Sequence, residues 1–177
     1  REKIMHHIDK EIEEAKAGRK AEMIIKVNSL SDKLLIEKMY EAAEAGVVTN
    51  MIVRGIYCAV NQKEFKQKIH AISIVDEYLE HARVMYFYHK GDEDIYISSA
   101  DWMNRNLDYR IEAAVKITDK DLKKEIKDIL NIQLNDNVKA RVLNKRLSNE
   151  YYHSAVKEEH RSQIETYKYL KAKTTKK

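Results

Sequence analysis

Met23-Ile24-Ile25-Lys26-Val27 and Asn50-Met51-Ile52-Val53-Arg54 are two short apolar runs, and the segment between them decides the fold. Both runs read as strands. Between them, Ser31 is placed to cap a helix whose inner face is Leu34, Leu35, Met39, Tyr40 and Ala43, and Gly46 is placed to end it. Strand, helix and strand in that order predict a parallel βαβ unit, because parallel neighbours need a crossover of about helix length.

Working outward, Ile4, Ile8, Ile12 and Ala15 recur at helical spacing before Gly18. On the C-terminal side, Ile72-Ser73-Ile74-Val75 reads as a short strand. Arg83–Tyr88 and Asp94–Ser98 read as a hairpin around Lys90-Gly91-Asp92-Glu93. Tyr109–Val115 reads as a further strand. Asp119 is placed to cap a helix through Leu122, Ile126, Ile129 and Leu130, and a last amphipathic segment lies near Ile164, Tyr167 and Leu170. The expected class is α/β, with residues 1–177 one domain and 119–177 its helical C-terminal part.

Bulk properties narrow the classes. The chain is 44% hydrophobic and 35% charged, which fits a folded core under a charged surface and argues against disorder. Its apolar runs are only a few residues long, as in Met51-Ile52-Val53, so neither a bilayer span nor a signal peptide is expected. The net charge of +4 leans towards anions. Part of the excess sits in Lys171–Lys177, which reads as a solvated tail. Cys58 stands alone, so no disulfide framework or thiolate metal cluster is expected, and a reducing compartment is. The chain opens at Arg1 inside a helical pattern and is read as a piece of something longer.

Four constellations are able to carry chemistry. Lys26-Val27-Asn28-Ser29-Leu30 closes the first strand, where α/β proteins bind ligands, with helix amides following. Val53-Arg54-Gly55 closes the second. Arginine offers a permanently charged fork that suits phosphate, and glycine allows a sharp turn or close approach. Leu79-Glu80-His81-Ala82-Arg83, followed by Ser98-Ser99-Ala100-Asp101-Trp102, sets a histidine and a cation in alternation on a strand ahead of a small polar loop. It loosely echoes the phospholipase D pattern of His-x-Lys and Gly-Ser-x-Asn, with Arg83 for the lysine and Asp101 for the asparagine. Asn104–Glu112 carries Arg105 and Arg110, with Asp108 and Glu112 placed to orient them. Against each stands a plain alternative: an exposed strand end, a local ion pair, a structural histidine, a surface charge network. His6, His7, His153 and His160 read as structural, and Met23, Met39 and Met85 as core. The chain has no Walker loop, Gly-x-Gly-x-x-Gly or Cys-x-x-Cys.

Taken together, these segments resemble bacterial polyphosphate kinases of the long, histidine-phosphorylated type. The likeness is carried by Ile52-Val53-Arg54-Gly55-Ile56, by Ile72–His81 and above all by Ser98–Arg110. Lys139-Ala140-Arg141 and Leu147-Ser148-Asn149 continue it, so that it runs from about residue 5 to 150 and more loosely to the end. The resemblance implies the second of two phospholipase D-like domains: a mixed β-sheet flanked by helices, with a helical C-terminal segment. It implies reversible transfer of the terminal phosphate of ATP to inorganic polyphosphate, with ADP as the other nucleotide. By carry-over, Arg54 and His81 contact ATP, His81 as an auxiliary phosphoryl contact. Lys26, Asn28, Arg83, Ser99, Asp101, Arg105 and Arg110 are candidate phosphate contacts. The phosphorylated histidine and the magnesium ligands belong to a preceding domain, so no metal is expected on these residues. The implied partners are ATP, polyphosphate and the preceding domains of the same chain, in a homo-oligomer, with no nucleic acid. The implied place is the cytoplasm, with a peripheral position on the inner membrane left open. The segment Ala59–Lys68 departs from the family in lacking Pro and Gly.

Two rivals remain. A phospholipase D-type phosphodiesterase or nuclease calls for His-x-Lys, which Arg83 does not supply. A polyanion-binding module calls for a stronger basic excess with exposed aromatics.

Overall fold

The βαβ unit is the centre of the molecule. The computed structural model describes residues 1–60, 64–153 and 157–175. Asn61, Gln62 and Lys63 of the 59–68 segment, and Lys176 and Lys177 of the basic tail, lie outside the described residues. Helix α1 (Glu2–Lys16) leads into strand β1 (Glu22–Val27), helix α2 (Lys33–Ala45) and strand β2 (Val48–Val53). β1 and β2 pair in parallel, with Val27 opposite Val53. Strand β3 (Ile69–Ser73) extends the parallel set beyond β2. β4 (Arg83–Phe87) and β5 (Asp94–Ser98) form the expected antiparallel hairpin, and β4 pairs with β1 on its other edge. Then come α3 (Asn104–Tyr109), β6 (Ala114–Ile117), α4 (Lys120–Leu134), β7 (Arg141–Val142) and α5 (Ser162–Thr174). The result is a mixed seven-stranded sheet in the order β6-β5-β4-β1-β2-β3-β7.

Side-chain alternation builds two cores from one sheet. Met23, Ile25, Val27, Met51, Val53, Met85 and Phe87 pack with α1 and α2 through Ile8, Ile12, Leu35 and Met39. Ile24, Ile52, Ile72, Val84, Tyr86 and Ile95 pack on the opposite face with Leu130 and Ile126 of α4. β1 is therefore buried on both faces, which is why it has no polar alternation. No helix among the described residues is long and apolar enough to cross a membrane.

Several expectations need correction. Asp32, not Ser31, caps α2, its carboxylate accepting the Leu35 N–H at 3.0 Å. Ser31 is still in the incoming extended stretch, its N–H bonded to the Trp102 carbonyl at 2.8 Å. Gly46 ends α2 as expected, at φ 102°, and Asp119 caps α4 as expected. The third strand is Ile69–Ser73 rather than 72–75, because Thr49–Ile52 of β2 partners Ile69–Ile72 and Arg141 partners Ser73, while no described strand partners Ile74 or Val75. Tyr109–Val115 is not one strand. The chain turns helical at Asn104–Tyr109, and only from Ala114 does it find β5 as a partner. β7 is a two-residue strand with no sequence signal of its own.

Asp136 joins the C-terminal elements. It is fully buried; one oxygen accepts the N–H groups of Val138, Lys139 and Ala140 at 2.7–3.0 Å, and the other accepts Ser162 N–H at 2.7 Å. Burial alone would raise this carboxyl, but the N–H groups outweigh it and hold it below its usual range. Its folded value is below its unfolded one. The stabilisation is therefore complete above roughly pH 3.9, and is lost as pH falls through the lower folded value. Asp136→Ala is expected to cost about 2–4 kcal/mol in urea unfolding at neutral pH. The gap between variant and parent should narrow as pH falls below roughly 3.9. A cost under about 1 kcal/mol would show that the turn holds itself.

Candidate functional site

Strand direction gathers the candidate residues at one edge of the sheet. β1, β2 and β5 end there and β4 begins there, so Asn28, Arg54, Ser98–Asp101 and Arg83 meet without any long excursion of the chain. This is the carboxyl edge of the parallel strands, the usual ligand edge of an open α/β sheet.

Arg54 leaves β2 half-buried, and its Nε and Nη2 donate to the side-chain oxygen of Asn28 at 2.8 and 2.5 Å. No described residue bonds Nη1. The Asn28 amide donates in turn to Ser29 Oγ at 3.1 Å. Gly55 follows because its N–H bonds the Asn28 carbonyl at 2.7 Å, and a Cβ there would lie 3.0 Å from that oxygen. Its role is the close approach of the two strand ends to each other.

Asp101 is the anchor of the second group. One of its oxygens accepts the N–H groups of Asn28 at 2.8 Å and Ser29 at 3.1 Å. The Arg83 guanidinium donates to both its oxygens at 3.2 and 3.1 Å. The carboxylate is 3% exposed and the guanidinium 16%, so this is a largely desolvated pair. Burial pushes the Asp101 carboxyl up, but Arg83 and the two N–H groups overcome it and hold the carboxyl below its usual range. Arg83 also donates to the His81 carbonyl at 3.1 Å, and its Nη2 lies 2.8 Å from His81 Nε2. A guanidinium only donates, so Nε2 is the accepting nitrogen and the proton of the neutral ring is assigned to Nδ1; the residue as a whole is exposed. β4 begins at Arg83, so His81 is in the preceding loop rather than alternating with Arg83 on a strand. The arginine's reach, not the strand's pleat, brings the two together.

Lys26 is placed differently from an open cation. It points into the α4–α5 layer, its side chain 9% exposed, with Nζ 2.5 Å from a Glu80 oxygen and 2.7 Å from Gln133 Oε1. Burial lowers its ammonium, and Glu80 opposes the shift. Gln133 also donates to Glu80 at 2.6 Å. Beside this group lies a cavity of about 780 Å³ between β4–β5 and α4–α5, lined mainly by Val84, Ile97, Ile126, Ile129 and Leu170. Its apolar walls suit neither phosphate nor metal.

The remaining candidates form a flank. Ser99 Oγ donates to Glu112 and accepts the Ala113 N–H at 3.0 Å. Asn106 holds the other Glu112 oxygen at 2.7 Å. Ser99 and Asn106 keep the Glu112 carboxyl low, with the nearby charges of Arg110 and Arg83 adding to the shift. Arg110 is exposed just past α3, and Arg105 is exposed on α3 with no ion pair among the described residues. Asp108 is taken by Arg1 at 2.7 Å and orients neither arginine. Among the described residues no cluster of three or more His, Cys, Asp or Glu is arranged to hold a metal. Sequence reasoning missed Gln133 and Gln163. Uncharged amides on helices look like solvent-facing residues until their partners are known.

Comparison with known proteins bears on the family and the fold. A family model described as "Polyphosphate kinase C-terminal domain 2" matches residues 1–163. Over 172 residues, 97% of this chain, the sequence is 48% identical to the polyphosphate kinase of Vibrio parahaemolyticus. It is 43% identical over 166 residues to that of Escherichia coli K12. The chain spans about a quarter of the length of these curated relatives, 25% and 24%. The crystal structure of polyphosphate kinase from Porphyromonas gingivalis superposes over 99% of this chain and 27% of its own, at TM-score 0.95 and 44% identity.

The Arg83–Asp101 pair should show up as a coupling. In a double-mutant cycle with Arg83→Met and Asp101→Asn, urea unfolding is expected to give an interaction energy of about 1–3 kcal/mol. Additive effects would show that each residue is held by its other neighbours.

Proposed function

The chain belongs to the polyphosphate kinase family, and from that membership we propose that it supplies the ATP-phosphate grip of an active site completed by preceding domains. In this reading the whole enzyme transfers the terminal phosphate of ATP reversibly to inorganic polyphosphate. The phosphate passes through a histidine of a preceding domain, which also carries the magnesium ligands. The whole enzyme is oligomeric and works in the cytoplasm, where ATP is available.

One observation carries the assignment. Arg54 and His81 are donors whose inner sides are fixed by protein groups while their outer sides stay open. Arg54 is pinned through Nε and Nη2 on Asn28, leaving Nη1 for a phosphoryl oxygen. His81 is pinned through Nε2 on Arg83, leaving Nδ1–H as a donor. Phosphoryl transfer asks the protein mainly for positioning and charge neutralisation, and a pre-aimed pair of donors gives both without reorganisation. Arg83 and Asp101 serve here as the frame for His81, and Asn28 as the frame for Arg54. Lys26 is spent on Glu80. Arg105 and Arg110, exposed on the flank, suit the outer run of a polyanion rather than the reacting phosphate.

In the full-length enzyme, Arg54→Ala and His81→Ala should each lower kcat/KM for ATP at least tenfold, roughly 1.4 kcal/mol of barrier. The tautomer adds a finer expectation. An Asn side chain places its N–H near the Nδ1 position of histidine and Gln near the Nε2 position, so His81→Asn should retain more activity than His81→Gln. Near-normal kinetics for both alanine variants would sink the assignment.

A further inference from the structure

His81 sits in a segment that has little of its own to hold it. Residues 74–82 form no regular structure, and past the buried Ile74 the apolar Val75, Tyr78 and Leu79 are 67%, 66% and 72% exposed, so apolar burial does not set the path of the chain from 75 onward. Polar ties from the start of α5 do. Arg161 grips Asp76 with Nε at 2.8 Å and Nη2 at 2.7 Å, and reaches Glu77 at 3.1 Å. The Gln163 carboxamide then reads the Tyr78 backbone in both directions. Its oxygen accepts the Tyr78 N–H at 3.0 Å and its nitrogen donates to the Tyr78 carbonyl at 2.8 Å. That is the pairing a neighbouring strand would give, made by one side chain. The same nitrogen lies 3.2 Å from Glu80 Oε1, while Glu80 Oε2 is held by Lys26 and Gln133. The chain is thus fixed at 76, 78 and 80, immediately before His81.

We propose that Gln163, with Arg161 beside it, is a positioning residue for His81: the start of α5 sets the loop that presents the imidazole to ATP. The inference rests on the reading of His81 as a phosphate contact. It assigns the C-terminal helix a part in the active site that none of its side chains plays by touching substrate. Arg161 and Gln163 form no part of the apolar clusters that build the cores. Their loss should therefore move the loop more than the fold. Arg161 holds Asp76 low through its hydrogen bonds and charge, so the clamp is in its charged state throughout the neutral range.

The test is a double-mutant cycle on activity in the full-length enzyme: Gln163→Ala, His81→Ala and both together, with melting temperatures measured alongside. Gln163→Ala alone should lower kcat/KM about fivefold or more. In the His81→Ala background it should change kcat/KM less than about twofold, because a residue that acts through His81 has nothing left to position. A purely structural role would give the same loss in both backgrounds. Gln163→Glu keeps the acceptor for Tyr78 N–H but loses the donor and faces Glu80, so it should not rescue. Should Gln163→Ala fail to fold, Arg161→Ala run through the same cycle takes its place. If His81→Ala is itself silent, the reading of His81 as a phosphate contact falls. If His81→Ala is damaging and neither Gln163→Ala nor Arg161→Ala is, or if their losses add, the positioning role falls while the functional reading stands.

Discussion

A single buried carboxylate makes the strand ends into one surface. Asp101 follows β5, yet three of its hydrogen-bond donors belong to other strands: the N–H groups of Asn28 and Ser29 at the end of β1, and the guanidinium of Arg83 at the start of β4. Without it, two backbone N–H groups would lose their acceptor and a largely buried cation its counter-charge, a cost of several kcal/mol. With it, the exit of β1 is fixed, and Asn28 can then hold Arg54 from the neighbouring strand. Leu30 next forms single bridges to both Tyr57 and Trp102, so the chains leaving β1, β2 and β5 stay together beyond the sheet. The orientation of Arg54 and of His81 both trace back to that one group.

The two faces of the sheet do different work. On the α1–α2 face the contacts are apolar packing, non-directional and tolerant of small shifts. On the α4–α5 face the apolar core gives way, at the carboxyl edge, to a polar chain running from Lys26 through Glu80 and Gln133 to Gln163. Hydrogen bonds are directional, and a buried network with every member satisfied specifies one arrangement in a way that apolar contact does not. The polar part lies where a loop must be held to a particular path, and the apolar part where it need not be.

The central βαβ unit, the hairpin and α4 were legible, because apolar periodicity and caps such as Asp119 are local signals; α5 is helical where expected but lacks the buried apolar face expected of it, Ile164, Tyr167 and Leu170 all being exposed. The βαβ rule also put the ends of β1 and β2 on one edge, but not the arrival there of Arg83 and Asp101, which depends on β4 pairing with β1. What was not legible depended on contacts distant along the chain. Lys26 reads as an exposed strand-end cation until α4, more than a hundred residues later, brings Gln133 over it. Residues 109–115 have strand composition, yet only Ala114–Ile117 has a partner in β5, and composition does not say where a partner stops. The cap falls on Asp32 rather than Ser31 because the helix begins at Lys33, one residue later than the sequence pattern suggests, which puts the Asp32 carboxylate in reach of the Leu35 N–H. β7 is two residues long, and such a strand exists only because β3 presents an open edge.

The arginine at position 83, where the phospholipase D pattern has lysine, follows from the geometry around it. A lysine ammonium is a compact point charge that would serve Asp101 or a phosphoryl oxygen, but not several fixed acceptors lying in different directions. Arg83 spends its planar fork on both oxygens of Asp101, on the His81 carbonyl and on His81 Nε2. Its charge is then largely neutralised inside the protein, and it has little to offer a substrate directly. What it gives instead is a fixed imidazole with a known accepting nitrogen. A phosphodiesterase of the phospholipase D type needs its cation turned towards the phosphate. Here the cation is turned inward, and the outward charge is left to Arg54. That division suits a half-site that grips a nucleotide phosphate while a nucleophile comes from elsewhere in the enzyme.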